Sequence, residues 1–233
     1  MKLVILAIGE HPDDVELGCG GTLAKEISLG KKVGIIDLTK GELGTRGTDI
    51  TRKEEAAHAA EILGIAVREN LDLGDGFFMN EKEAQFKVIE VIRKYQPDVI
   101  ISNAPSDRHP DHAKGSELVN NAIFLSGLPK IENGLVPWRP KKHFHYIQWL
   151  PLEPSFVVDI TGFLGKKVES CLAYKTQFFD PNSEEPLTPI ATKNFTDSIE
   201  YRAMDLGRLI GTEAGEGFIS RNYIAVNNLD SLL

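Results

Sequence analysis

The sequence predicts an α/β fold with a mainly parallel central sheet, and three observations carry that prediction. Apolar runs of strand length alternate with helix-length segments through the first half of the chain. The first of them, Leu3 to Ile8, is continuously apolar, as expected of a strand buried on both faces. The second half is less regular and is punctuated by Pro129, Pro137, Pro140, Pro151 and Pro154.

Leu3 to Ile8 predicts the first strand. This short apolar run stops at acidic residues and lacks a small-residue cleavage site, so it does not read as a signal peptide. Gly20 to Leu29 predicts a helix closed by Gly30 in the left-handed C′ conformation. Val33 to Leu38 predicts the second strand. Thr51 opens the next helix, with Thr51 and Glu54 at capping-box spacing, and Gly64 ends it. Ala66 to Leu73 holds a third strand. Glu81 to Tyr95 carries Phe86, Ile89 and Ile92 at helical spacing until Pro97 stops it. Val99 to Ser102 predicts a fourth strand, followed by a loop and a helix over His112 to Phe124. Further on, His143 to Trp149 and Phe156 to Ile160 predict strands, and Gly162 to Tyr174 and Asp197 to Ile210 predict helices. Residues 179–196 predict a long loop, and Phe218 to Val226 the last strand. No repeat or linker divides the chain, so a single domain over 1–233 is expected, with a core over 1–128 and C-terminal substrate and oligomer elements over 129–233.

The 233 residues carry 26 Lys+Arg against 34 Asp+Glu, a formal net charge of −8. Nucleic-acid binding rests on clustered basic residues, and the pairs Lys31/Lys32, Lys141/Lys142 and Lys166/Lys167 read as solvated surface instead. Two cysteines, Cys19 and Cys171, exclude a disulfide scaffold and a multi-cysteine zinc ribbon. No window approaches 18 unbroken apolar residues, so no membrane span is expected. The expected compartment is the cytoplasm, with both thiols reduced.

Two loops hold the informative chemistry. His11-Pro12-Asp13-Asp14 follows the first strand, and His109-Pro110-Asp111-His112 follows the fourth. In the common doubly wound order these strands are neighbours, and ligands bind outside their carboxyl ends. A borderline divalent metal such as zinc takes imidazole nitrogen and carboxylate oxygen, with three protein ligands plus water in catalytic sites. His11, Asp14 and His112 could supply that set. Asp13 would remain as a general base, and His109 as a donor to a developing oxyanion. A capped turn or a surface helix start would explain either loop alone, with Asp111 as N-cap of the second helix.

HPDD in HPDDVELGCGGTLAK and HPDH in SDRHPDHAKG resemble the two motifs of the PIG-L/LmbE zinc-dependent N-deacetylases. Within that family the chain looks most like the bacillithiol-biosynthesis deacetylases, which act on N-acetylglucosaminyl-malate. The resemblance implies a Rossmann-like three-layer fold and one zinc per subunit, with ferrous iron as an alternative metal. It implies His11, Asp14 and His112 as metal ligands, Asp13 as general base and His109 as oxyanion or acid residue. It also implies a homohexamer and an amino-sugar substrate. N-acetylglucosamine itself, chitooligosaccharides, and a non-catalytic sugar-binding role are the alternatives.

Arg52 is placed at the first helical position after Thr51, where a cation opposes the helix dipole, and is a substrate candidate that the family also has here. A salt bridge to Glu55 or Glu69 is the plain alternative. Arg108 is a candidate for the malate carboxylates, and Glu42 and Asp75 are crevice candidates. Glu16 and Asp107 read as local hydrogen-bonding residues. His143 and His145 share a strand face and either line the crevice or serve structure. Trp138 and Trp149 either stack on a sugar or belong to the core or a subunit contact. Gly18-Cys19-Gly20-Gly21 suggests a dinucleotide fingerprint, but Leu23 stands where the third glycine is needed.

Overall fold

A computed structural model describes residues 1–232. They form one seven-stranded sheet in the order β3-β2-β1-β4-β5-β7-β6. The strands are β1 (Ile5–Gly9), β2 (Val33–Asp37), β3 (Val67–Asn70), β4 (Val99–Asn103), β5 (Lys142–Tyr146), β6 (Phe156–Asp159) and β7 (Gly215–Ile219). The pairs from β3 through β5 are parallel, while β7 runs antiparallel to both β5 and β6. Six helices complete the fold: α1 (Asp14–Ser28), α2 (Asp49–Leu63), α3 (Lys82–Tyr95), α4 (Pro110–Ser126), α5 (Leu164–Leu172) and α6 (Lys193–Ile210). The result is the three-layer α/β architecture expected, with a mixed C-terminal edge.

Two cores cover the two sheet faces. Leu6, Ile8, Ile36 and Ile100 pack against α3 and α4 through Val88, Ile92 and Val119. Ile5, Ala7, Ile35 and Ile101 pack on the other face with Val15, Cys19 and Leu23 of α1. β1 and β2 are buried along their whole length, which explains their unbroken apolar runs. No helix among the described residues is long and apolar enough to cross a membrane.

Several boundaries differ from expectation. Helix α1 begins at Asp14 rather than Gly20, so the first histidine loop leads straight into it, with non-helical angles only at Cys19. Glycines at 18, 20 and 21 hide this early start. They serve close packing instead: a Cβ on Gly18 would lie 2.0 Å from the Tyr146 ring. The α2 capping box is Thr48 with Thr51, not Thr51 with Glu54, so Arg52 is the fourth helical residue rather than the first. β3 is shorter than expected, and the last strand is Gly215–Ile219, which starts earlier than expected and meets the expected span only at Phe218 and Ile219. Gly215 and Gly217 mask that strand in the sequence, yet both pack closely, Gly215 against Val157. The expected 179–196 loop contains a 3₁₀ turn, Pro189–Ala191, and the start of α6.

Candidate metal and catalytic site

β1 and β4 lie side by side in parallel register, so their carboxyl ends deliver the two histidine loops to one crevice. A cavity of about 480 Å³ there is lined by residues from both loops, by the β2 and β3 turns, and by Trp149, Gln177 and Phe195 from the second half.

At its floor Asp14 stands between two imidazoles. Its Oδ2 is 3.1 Å from His11 Nδ1, and its Oδ1 is 3.2 Å from His112 Nε2. The far nitrogen of each ring is held by another carboxylate: His11 Nε2 lies 3.0 Å from Asp75 Oδ1, and His112 Nδ1 lies 2.8 Å from Asp107 Oδ2. Histidine ligands to metals are oriented in this way, by a carboxylate on the outward nitrogen. Two nitrogens and a carboxylate facing one another fit a borderline divalent cation. Three triplets among the described residues have donor atoms within 4.8 Å of one another and could share an ion: His11-His109-His112, Glu10-Asp14-His112 and His11-Asp75-Asp111.

The charges within the cluster support one another. Burial opposes charge on His112, but Asp14 and Asp107 carry its pKa up to about 10. Burial likewise opposes charge on His11, yet bonds to Asp111, Asp14 and Asp75 hold it well above its ordinary value. Burial would raise Asp14, but His112 and His11 keep it well below the usual carboxylate range.

Asp13 sits beside this cluster in the left-handed region at φ 114°. It is buried, and burial pushes its carboxyl up to about 7 against the pull of Arg52. Arg52 donates from Nη2 to the Pro12 carbonyl and to Asp13 Oδ2 at 3.3 Å, while its buried Nε has no partner. Neither Glu55 nor Glu69 pairs with Arg52: Glu55 accepts from Thr176 and Glu69 from Lys94. His109, not Asp111, is the N-cap of α4, because its Nδ1 accepts the Asp111 N–H at 3.3 Å. That bond assigns the proton of a neutral His109 to Nε2. Burial, with His11 and His112 nearby, lowers the His109 pKa.

The substrate candidates divide. Arg52 and Arg108 line the cavity, and the Arg108 guanidinium lies 4.2 Å from the Trp149 ring centroid. Trp149 stacks on Phe195 at 5.0 Å, so the tryptophan forms a wall of the crevice. Glu42, expected in the crevice, does not line it. Its Oε1 accepts the Asp75 N–H and its Oε2 the Lys40 N–H, so the carboxylate braces the loop that presents Asp75. His143 and His145 share Ser102 beneath β4 and do not line the crevice.

Three polar residues have roles that sequence reasoning missed. Gln148 donates to Asp14 Oδ1 at 2.6 Å and accepts from Asn103 Nδ2 at 2.9 Å. Asn103 also donates to Glu10 at 3.1 Å, and Gly115 leaves the room that Glu10 needs. No motif marks these positions. The only available hint was that a glutamate interrupts an apolar strand end directly before His11.

The family model described as PIG-L, GlcNAc-PI de-N-acetylase, matches residues 6–123, which span both histidine loops. The chain belongs to the PIG-L family. A diacetylchitobiose deacetylase of Thermococcus kodakarensis is 30% identical over 190 residues, covering 75% of this chain and 70% of that protein. A 4-oxalmesaconate hydratase of Pseudomonas putida is 28% identical over 187 residues, covering 72% of each chain. Among solved structures, the conserved protein TT1542 of Thermus thermophilus superposes with a TM-score of 0.88 at 34% identity, covering 97% of this chain and 98% of that one. As a PIG-L fold, the sheet and helices described above are those of the family.

Proposed function

We propose that this PIG-L member is a zinc-dependent N-deacetylase that removes the N-acetyl group of an N-acetylglucosamine derivative, with N-acetylglucosaminyl-malate as the substrate. One observation carries the reading: Asp14 is shared by inward nitrogens of His11 and His112 while Asp75 and Asp107 hold the outward ones, and Asp13 and His109 face the same cavity. The family match and the chitobiose deacetylase relative support an amino-sugar amide as the bond cleaved. A cytoplasmic homohexamer belongs to the same reading and rests on the resemblance of the motifs.

His11, Asp14 and His112 would hold the metal, which when bound supplies Lewis-acid polarisation of the acetamide carbonyl and acidifies water. Asp13 accepts a proton from the attacking water as the new C–O bond forms. It passes that proton to the nitrogen as the C–N bond breaks, leaving acetate and a free amine. His109, with Nδ1 engaged by the Asp111 N–H, donates from Nε2 to the developing oxyanion. Arg52 holds Asp13 in place and, as part of the cavity lining, is the contact for a substrate oxygen. Arg108 on the Trp149 wall is the contact for the malate carboxylates.

Acetate release measured on N-acetylglucosaminyl-malate, N-acetylglucosamine and diacetylchitobiose tests this, with 4-oxalmesaconate hydration as a further arm. The malate conjugate is expected to show at least a tenfold higher kcat/KM, abolished by chelation and restored by zinc. Equal rates on all three would overturn the malate assignment. Activity that survives complete chelation would overturn the metal dependence, and hydration without acetate release would overturn the deacetylase reading.

A further inference from the structure

A second, larger cavity lies at the opposite end of the sheet. It measures about 640 Å³ and shares no lining residue with the crevice above. Its walls come from the start of β5, the last turns of α4 and the segment that follows β7. Because β7 is antiparallel to β5, its end returns to the side where β5 begins, which brings Arg221 beside Lys142 and His143.

The composition of this cavity contrasts with that of the chain. In a protein of net charge −8, the cavity is lined by Arg139, Lys141, Lys142 and Arg221, and by no aspartate or glutamate. Two of these cations are partly committed: Lys141 pairs with Asp98 at 3.1 Å, and Arg139 donates to the Phe124 carbonyl at 3.1 Å. Lys142 and Arg221 have no ion-pair partner among the described residues. Amide side chains of Gln85, Asn120 and Asn121 add neutral hydrogen-bonding groups to the wall. Two cations left without counter-charges at a concave site repel one another, and a bound anion relieves that repulsion. The volume is that of a small-molecule site.

We propose that this cavity binds a small phosphomonoester, its dianion matched by Lys142 and Arg221. Guanidinium and ammonium groups together suit a phosphate, the first through paired N–H donors and the second as a point charge. The Lys141/Lys142 pair is then part of a binding wall and not merely solvated surface. His143 supplies a native reporter, since it lines the cavity, and burial, His145 and Arg221 hold its imidazole well below its ordinary pKa.

The test titrates the full-length, metal-loaded protein with glucose 6-phosphate and, separately, with glucose, by calorimetry and by the NMR signals of the His143 ring. Saturable one-to-one binding of the phosphate ester alone is expected, with the His143 resonance shifting in step. Lys142→Gln and Arg221→Gln should each weaken binding at least tenfold and leave acetate release within twofold of wild type. Asp14→Asn should leave binding intact. The proposal is overturned by equal binding of glucose, by no saturation up to about 10 mM, the range of a weak metabolite affinity, by binding that survives both cation substitutions, or by binding lost in Asp14→Asn. It is equally overturned if Lys142→Gln and Arg221→Gln instead break a self-association that buries the cavity.

Discussion

The two histidine loops share the opening His-Pro-Asp, yet their aspartates are built into opposite environments. Asp13 takes a left-handed backbone at φ 114°, a conformation that costs a non-glycine residue on the order of 1–3 kcal/mol. Its carboxylate meets the Arg52 guanidinium, and burial raises its pKa to about 7. Asp111 sits in the first turn of α4, behind Pro110, with helical geometry. Its Oδ2 accepts the Gly76 N–H at 2.8 Å, and its Oδ1 lies 2.7 Å from Lys114 Nζ. Although burial opposes charge, His11, Lys114 and Gly76 keep Asp111 ionised far below the usual range. The same tripeptide start therefore yields one poised base and one fixed anchor, and what separates them is the backbone angle and the partners each aspartate meets.

The largest expected effect breaks this comparison directly. Asp13→Asn removes the proton acceptor but keeps the shape, and general-base loss of this kind costs about 10²–10⁴ in rate. kcat should fall by about that factor while bound metal, measured by elemental analysis, stays at the wild-type level. Asp111→Asn should keep kcat within about tenfold and instead lower the melting temperature, since the half-buried Gly76 N–H and Lys114 lose a charged acceptor worth about 1–3 kcal/mol. If the two variants lost activity equally and Asp111→Asn melted like wild type, the distinction between base and anchor would fail.

A smaller effect sharpens the comparison at the histidines. Each ring is steadied by a carboxylate outside the motif, His11 by Asp75 and His112 by Asp107. Replacing such a partner weakens metal affinity about 10–100-fold in comparable sites. Asp107→Asn should show a loss of that size in chelator competition. Asp75→Asn should lose less, because Asp111 Oδ2 also lies 3.5 Å from His11 Nε2 and can take over. A larger loss at Asp75 than at Asp107 would count against that redundancy.

The motif residues are legible because they are contiguous and because strands β1 and β4 can be read and ordered from their apolar runs. What stays hidden has particular physical causes. Asp75 reads from the sequence only as a crevice candidate and Asp107 only as a local hydrogen-bonding residue; that each steadies a histidine, through bonds spanning 64 and five residues, is marked by no spacing. Gln148 reaches Asp14 from 134 residues away, after the strand that positions it has ended. Helix α1 reads short in the sequence because its glycines carry low helix propensity, whereas tertiary packing against Tyr146 and Ile160 requires them. The capping box of α2 reads one turn late because Thr48 and Thr51 both have capping side chains, and only the observed bonds between them fix the register. In the second half, Gly215 and Gly217 lower strand propensity in β7 where backbone and side chains approach closely.

The smallest effect concerns what lies beneath the second loop. His145 is buried under β4 and α4, its Nδ1 2.7 Å from the Asn103 carbonyl and 3.3 Å from both Ser102 and Ser116. The His143 ring is 4.3 Å away, and Arg221 adds positive charge nearby. Burial lowers the His145 pKa to about 4, partly opposed by the Asn103 bond and reinforced by Arg221. A folded-state pKa below the unfolded value of about 6.5 means that the unfolded chain binds the proton first as pH falls. His145 therefore contributes its full stability above about pH 6.5 and loses it as pH drops toward about 4, an effect of a few kcal/mol at most by linkage. The expected result is a wild-type melting temperature that falls more steeply between about pH 6.5 and 4.5 than that of His145→Gln. Asp13 belongs to the other loop and pairs with Arg52 rather than with His145, so the steepness should persist in Asp13→Asn. Parallel melting curves for wild type and His145→Gln would show that the support under the second loop does not respond to this proton.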